Sequence, residues 1–401
     1  MGILLSKESQ EDLLERGYSR RQFGRISALL GLGSAAMAAS PLLSRTAAAK
    51  SAAGAGGKAQ IEEIQSKVGM VRLGSNECWT GPFPAAAQAG AAMVPYGNRY
   101  EPSDLRSQLI QTVSQVEKVP ETHILPWPGS SDPLSRTVVT FCSPTRGLVT
   151  ADPTFESSWR TAAWLGVKVT KVPLRAENKY VTDVKAMLAA DPNAGIYYVC
   201  SPNNPTGTVT PLADIKWLVA HKPAGSIVLV DEAYIHFAGA PSAAKLVAEN
   251  KDVVVLRTFS KLFGMAGLRL GLSMARPDLH AKMMRYDGAS QSGTLSIVAL
   301  ATGTSSLTQS AAIVERRNQM IAAREETFAH LKKRGLTYLP SNANMFMVDW
   351  KQPAQTMRDA FASRKVDIGR SWPIWPTMSR VTVGSAEDMK AFCAALDQIM
   401  V

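Results

Sequence analysis

Between Ile124 and Ser260 the chain carries six short apolar runs, ILPW, GLVTA, VKVTKV, GIYYVC, SIVLVDE and VVVLRTFS, each bounded by Gly, Pro or Asp. Helical spacing recurs around and between them, as from Leu105 to Val116. Runs this short, apolar at nearly every position and rich in β-branched and aromatic residues, are what strands buried on both faces look like. Helices between them supply the two covering layers, so the pattern predicts an α/β domain with a mostly parallel sheet.

In such sheets a ligand lies beyond the carboxyl ends of the strands, so the residues that follow each run carry the functional information. After ILPW comes PGSSDPL, in which Gly129, Ser130 and Ser131 open a helix. Backbone N–H groups, hydroxyls and the positive end of a helix dipole suit a phosphate, and the same residues are also ordinary helix caps. GIYYVC leads into SPNNPTGTV with Asn204, a stretch rich enough in turn formers to need no function. SIVLV leads into DEAYIHF, where Asp231 is the first polar residue and Tyr234 lies three further on. VVVLRTFS carries Thr258 and Ser260 at its end and is followed by Lys261, with Arg269 eight residues beyond the lysine in an otherwise apolar loop. Each of these has a plain structural account when taken alone. Together they form the set that pyridoxal phosphate chemistry needs: an amine for a Schiff base, a carboxylate for the pyridine nitrogen, donors for the phenolic oxygen, and hydroxyls and cations for the phosphate.

The pattern changes near residue 296. A long helical pattern from Ile297 through Leu331 is followed by NMFMVDW, a helix near Gln355 to Arg364, RVTVGS and a terminal helix, which predicts a smaller α+β domain. Gly and Pro recur from 70 to 100 and suggest an irregular arm.

The amino terminus reads as a leader. Ser19-Arg20-Arg21-Gln22-Phe23 precedes a weakly apolar, Gly- and Ala-rich stretch and then the small-residue run Ala47 to Ala49. This resembles a twin-arginine export signal, and it implies a periplasmic or secreted protein carried across the membrane already folded. The apolar part is too short and too interrupted for a resident membrane span. The expected organisation is therefore a signal over 1–49, a linker over 50–69, an arm over 70–100, a large domain over 101–295 and a small domain over 296–401. A net charge of +11 comes from 44 scattered Lys and Arg with no basic run, which argues against a nucleic-acid partner. Cys78, Cys142, Cys200 and Cys393 form no CxxC pair, so no metal site is expected.

The motifs SPNNPTG, VDEAY, TFSKLFGMAGLRLG and RVTVGS, with NRYEPSDLRSQL, PGSSDPL and DPTF, resemble those of the fold type I, class I/II pyridoxal phosphate aminotransferases, nearest to the histidinol-phosphate aminotransferase-like subgroup. The resemblance spans about residues 70 to 395. It implies that Lys261 forms the Schiff base with pyridoxal 5'-phosphate and moves the proton, that Asp231 pairs with the pyridine nitrogen, and that Tyr234 and Asn204 bind the phenolic oxygen. It further implies phosphate contacts from Ser130, Ser131, Thr258, Ser260 and Arg269, ring stacking by Phe155, and a bidentate grip on the substrate acid by Arg380. Tyr100 would reach the phosphate of a partner subunit, which implies a homodimer with shared sites.

Three departures bear on the substrate. Phe155 stands where the family usually has Tyr. The arm reads GSNECWTGPFP, which brings Trp79 or Cys78 towards the substrate side, and Trp372 and Trp375, which precede Arg380, either line a pocket for an aromatic side chain or pack the small domain. The expected activity is transfer of an amino group from an amino acid or amine, one with an aromatic or imidazole side chain, to a 2-oxo acid. A lyase, decarboxylase or racemase would use the same cofactor and the same residues, and a non-catalytic binding protein on this fold is opposed by the presence of Lys261, Asp231 and Tyr234 together.

Overall fold

A computed structural model of the protein describes residues 5–31, 69–101, 103–286 and 295–400; the expected cleavage run Ala47 to Ala49 and nearly all of the expected linker lie outside them. The amino-terminal part holds α1 (Lys7–Glu15), α2 (Arg20–Gly31), β1 (Val71–Leu73), α3 (Pro84–Ala91) and α4 (Leu105–Glu117). The middle runs β2 (Ile124–Trp127), α5 (Ser131–Phe141), β3 (Leu148–Asp152), α6 (Ser157–Trp164), β4 (Val169–Pro173), α7 (Val184–Ala190) and β5 (Ile196–Cys200). It continues with α8 (Leu212–His221), β6 (Ile227–Asp231), α9 (Ile235–Ala238), α10 (Ala244–Ala248), β7 (Val253–Thr258), β8 (Gly271–Met274) and α11 (Pro277–Met283). Then come α12 (Ile297–Leu307), α13 (Ser310–Lys333), β9 (Thr337–Tyr338), β10 (Met345–Asp349), α14 (Ala354–Ala362), β11 (Val366–Ile368), β12 (Met378–Thr382) and α15 (Ala386–Ile399).

All six runs form strands, and they meet in one seven-stranded sheet of order β2-β8-β7-β6-β5-β3-β4. Only β8 runs against the others, pairing antiparallel with both β2 and β7. The pleat divides each strand between two apolar clusters. Tyr197, Val199, Val228, Val230, Val253 and Val255 face one; Ile196, Tyr198, Ile227, Leu229, Val254 and Leu256 face the other. Burial on both faces explains why β5, β6 and β7 read as continuous apolar runs, whereas the edge strand β4 is only partly buried and carries Thr170 and Lys171. Cys142 and Cys200 are buried among them.

A second sheet, β12-β10-β9, is antiparallel, and β1 pairs in parallel with β11. The chain from 71 to 73 is thereby held to the carboxyl-terminal part, Leu73 opposite Ile368. Three features depart from the sequence expectation. Part of the arm is a packed helix, α3, because PAAAQAGA combines good helix formers with Pro at the first turn, and Ala86 is fully buried. The pattern from Ile297 to Leu331 is two helices, α12 and α13, bent by 84°. Four residues, GLSM, add the strand β8, too short to announce itself after a glycine-rich loop.

Candidate active site

Strand register brings the predicted residues to one edge. Asp231 is the last residue of β6 and lies opposite Cys200 of β5. Thr258 closes β7 and lies opposite Gly271, so the loop between them leaves and re-enters the sheet edge at one point. Lys261 and Arg269 sit in that loop. Trp127 of β2 also pairs with Gly271, which delivers Gly129 and Ser130 to the same place.

A first group surrounds the lysine. Lys261 Nζ donates to the carbonyl oxygen of Asn76 at 3.1 Å and lies 5.5 Å from the centre of the Tyr234 ring. Tyr234 Oη accepts from Asn76 Nδ2 at 3.1 Å and from Asn204 Nδ2 at 3.5 Å. Asn204 Oδ1 in turn accepts from Arg380 Nη1 at 2.9 Å, and Arg380 Nη2 donates to Gly74 O. Lys261, Tyr234, Asn204 and Arg380 therefore belong to one hydrogen-bonded network drawn from four separate segments. Burial, with the Arg380 charge adding to it, lowers the Lys261 amine from 10.5 to about 8, against the pull of Glu77 and Asp231.

Asp231 is buried and its carboxyl is pushed up to about 6 by that burial. Tyr198 Oη donates to Oδ2 at 3.0 Å and the Ala233 N–H to Oδ1 at 3.1 Å, and both favour the ionised form. A carboxylate held this way, at the end of a buried strand, is poised to pair with a cationic ring nitrogen.

A second group suits an anion. α5 starts at Ser131, and the side chain of its N-cap residue Ser130 makes no capping hydrogen bond. Thr258 Oγ1 donates to Ser260 Oγ at 2.9 Å, and Arg269 Nη1 lies 3.4 Å from the same hydroxyl. Arg269 adopts a left-handed backbone, φ 59°, costly for a side chain of that size unless its surroundings fix it. A Cβ on Gly129 would run into the Arg269 guanidinium, and one on Gly271 would lie 2.7 Å from the Ser130 nitrogen. The two glycines therefore leave room for backbone, cation and ligand to converge. Pyridoxal phosphate fits this donor set: an amine, a buried carboxylate and a phenol on one side, and helix N–H groups, hydroxyls and a guanidinium on the other.

Three further predicted residues contribute no hydrogen bond to either group among the described residues, although Thr154 Oγ1, beside Phe155, donates to Asn203 Oδ1 at 2.6 Å, next to Asn204. Phe155 is 36% exposed; the next residue, Glu156, pairs with Arg370 Nη2 at 2.8 Å, tying this loop to the segment before β12. Trp79 is partly buried against the main apolar cluster. Tyr100 is 92% exposed. Beside Arg380 is an aromatic group: its guanidinium carbon lies 5.8 Å from the ring of Trp372, which is buried and has the Arg370 guanidinium at 4.5 Å, and Tyr180 and Trp375, both partly exposed, meet edge to face at 5.4 Å.

Sequence reasoning missed Asn76 and Tyr198. Asn76, at φ 53°, also exchanges hydrogen bonds with Thr382, its N–H to Oγ1 at 2.9 Å and Oγ1 back to its Oδ1 at 3.0 Å. Its position in the arm where the family carries a different asparagine-containing stretch was the available signal. Tyr198 lies inside an apolar run, where nothing marks its hydroxyl.

The family model described as aminotransferase class I and II matches residues 68–396. The chain is 32% identical over 343 residues to a histidinol-phosphate aminotransferase of Symbiobacterium thermophilum, covering 84% of this chain and 93% of that one. It is 30% identical over 335 residues to an aromatic amino acid aminotransferase of Rhodococcus erythropolis, covering 82% and 90%. Among solved structures, a histidinol-phosphate aminotransferase from Sinorhizobium meliloti in complex with pyridoxal-5'-phosphate superposes with a TM-score of 0.74 at 22% identity, covering 82% of this chain and 90% of that one.

Proposed function

This chain belongs to the class I and II aminotransferases and is a pyridoxal phosphate-dependent transaminase of the histidinol-phosphate aminotransferase-like type, and from that premise we propose that its amino donor carries an aromatic or imidazole side chain. The observation that carries this reading is the aromatic group beside Arg380, in which Trp372 is buried and Tyr180 and Trp375, packed with it, are partly exposed and offer the open aromatic surface. A guanidinium takes the acid of the substrate as a two-pronged donor, and an adjacent aromatic surface takes a flat side chain. The relatives named for histidinol phosphate and for aromatic amino acids share that demand.

When bound, pyridoxal phosphate supplies the carbonyl carbon that links to an amine and the ring that draws electrons from the donor's α-carbon. The remaining steps fall to the chain. Lys261, with its amine near 8, is neutral often enough at physiological pH to act as a nucleophile and then as a proton carrier at Nζ. Asp231, fixed by Tyr198 and the Ala233 N–H, would pair with the cofactor's ring nitrogen and favour its protonated form by its negative charge. Tyr234 and Asn204 would bind the phenolic oxygen, Ser130, Ser131, Thr258, Ser260 and Arg269 would hold the phosphate, and Arg380 would hold the donor's acidic group and so fix its position near Lys261. The amino group then passes to a 2-oxo acid in a second half-reaction through the same residues.

Two further features belong to this proposal. Tyr100, Tyr96 and Val94 stand 92%, 52% and 64% exposed on one short stretch, which favours a homodimer in which Tyr100 completes the partner subunit's phosphate site. Arg20 and Arg21 are exposed at the start of α2, which supports export by the twin-arginine route to the periplasm or beyond. The donor class is tested by a panel of amino donors added to holoenzyme while the visible band of the bound cofactor is followed. Histidinol phosphate and aromatic amino acids should bleach it at lower concentration than aspartate or alanine. Equal or better bleaching by the small or acidic donors would refute the aromatic-pocket reading.

A further inference from the structure

The segment read as a removable leader is built into the folded protein. Leu13, Tyr18, Ile26 and Leu30 are at most 3% exposed and share an apolar cluster with Val139, Leu165 and Met283. The polar contacts are directed at two helix ends. Arg16 Nη2 donates to the carbonyl oxygens of Val139 and Cys142 at 2.6 Å each, and Tyr18 Oη donates to Cys142 O at 2.8 Å. These carbonyls finish α5. Gln22 Nε2 donates to Leu165 O and Arg25 Nη1 to Trp164 O, both at 2.6 Å, and these finish α6. The last carbonyls of a helix have no partner within it and mark its negative end, so cationic and amide donors there are favourable. On the third side Asp12 accepts from Arg285 Nη1 at 2.6 Å and from Tyr286, which is also bonded by Arg16. Gly166, at φ 74°, is the close point of the fit: a Cβ there would lie 2.9 Å from Gln22 Nε2.

α2 is a poor helix by itself. It has twelve residues, two arginines at its positive end and no acidic residue in its first turn. A helix so short and so charged is marginal alone, so its order comes from docking. Arg20 and Arg21 remain exposed, whereas Gln22, Arg25, Ile26 and Leu30 are engaged with the body. A receptor that needs the segment after the arginine pair must first detach it.

We propose that the face made by the carboxyl ends of α5 and α6 together with α11 is a docking site for the chain's own residues 5–31, and that the docked leader is a latch which must open before export. The docking half stands on contacts within the chain; the latch half rests on the twin-arginine reading. Three full-length proteins test both: the wild type, Leu13→Asp/Arg16→Ala, and Arg20→Lys/Arg21→Lys. Hydrogen exchange should show slow amides across α1 and α2 in the wild type and in the double lysine variant. In Leu13→Asp/Arg16→Ala these amides should exchange about tenfold faster or more, while β5 and β6 keep their protection as evidence of an intact fold. The released variant should also appear outside the cytoplasm faster than the wild type. Leader amides that exchange in the wild type as an unstructured chain would overturn the docking site. Loss of protection with export unchanged or slowed would overturn the latch. Continued export of Arg20→Lys/Arg21→Lys with its leader still protected would sink the twin-arginine reading alone and leave the docking site standing.

Discussion

At its amino end α5 opens on Gly129, Ser130 and Ser131, and the side chain of Ser130 caps nothing. At its carboxyl end the carbonyls of Val139 and Cys142 take donors from Arg16 and Tyr18. One end keeps its positive dipole available beside Arg269 and Ser260, and the other has its negative end neutralised by a guanidinium. The difference teaches that the same helix serves a ligand where its donors are left open and serves stability where its acceptors are closed. Changes at the strand-end edge should therefore alter chemistry with little effect on folding, and changes at the docked end should do the reverse.

The largest expected effect is at the lysine. Lys261→Ala should lower turnover by on the order of 10^4 or more, since it removes both nucleophile and proton carrier, with the melting temperature changed little. Thermal unfolding beside steady-state kinetics checks it, and a large loss of stability would break the separation between the two ends. Arg380→Lys should raise KM for the amino donor roughly 10- to 100-fold, because a point charge replaces a fork that can bind two oxygens. A donor titration reads this, and a loss confined to kcat would move Arg380 out of the binding role.

The third effect is on pH. With Lys261 lowered to about 8, only the neutral amine attacks, so cofactor uptake by apoprotein should rise about tenfold per pH unit below 8 and level off above it. Between about 8 and 10.5 the unfolded chain holds the lysine proton that the folded apoprotein has lost, so stability should increase with pH across that window. Stopped-flow absorbance and urea midpoints at stepped pH give the two readings. The smallest effect on activity is at the docked end. Arg16→Ala should cost about 2 kcal/mol of stability by leaving helix-end carbonyls short of donors, with kcat and KM unchanged. Denaturant unfolding measures it.

The strand-end residues were legible because strands buried on both faces are continuous apolar runs, and a polar residue at the end of one is conspicuous. Asp231, Asn204 and Lys261 stand out for that reason. Tyr198 did not, because a tyrosine within IYYVC reads as core and its hydroxyl's partner lies on a neighbouring strand. Asn76 was hidden differently: its role comes from contacts with Tyr234 and Thr382, 158 and 306 residues away. β8 was invisible because its four residues owe their extended form to pairing with β2 and β7 and carry little signal of their own. Residues 5–31 carry a local motif that resembles a leader, but most of the acceptors they meet are backbone carbonyls, which no side-chain pattern records.

Every role assigned at the strand-end edge requires Lys261 to be the amine that the cofactor engages at the end of β7. Reduction of holoenzyme with borohydride followed by peptide mass mapping tests this directly. The reduced cofactor should be found on the peptide containing Lys261 and be lost in Lys261→Ala; its attachment to any other lysine of the wild type, or a persistent adduct in the variant, would remove Lys261 from that role.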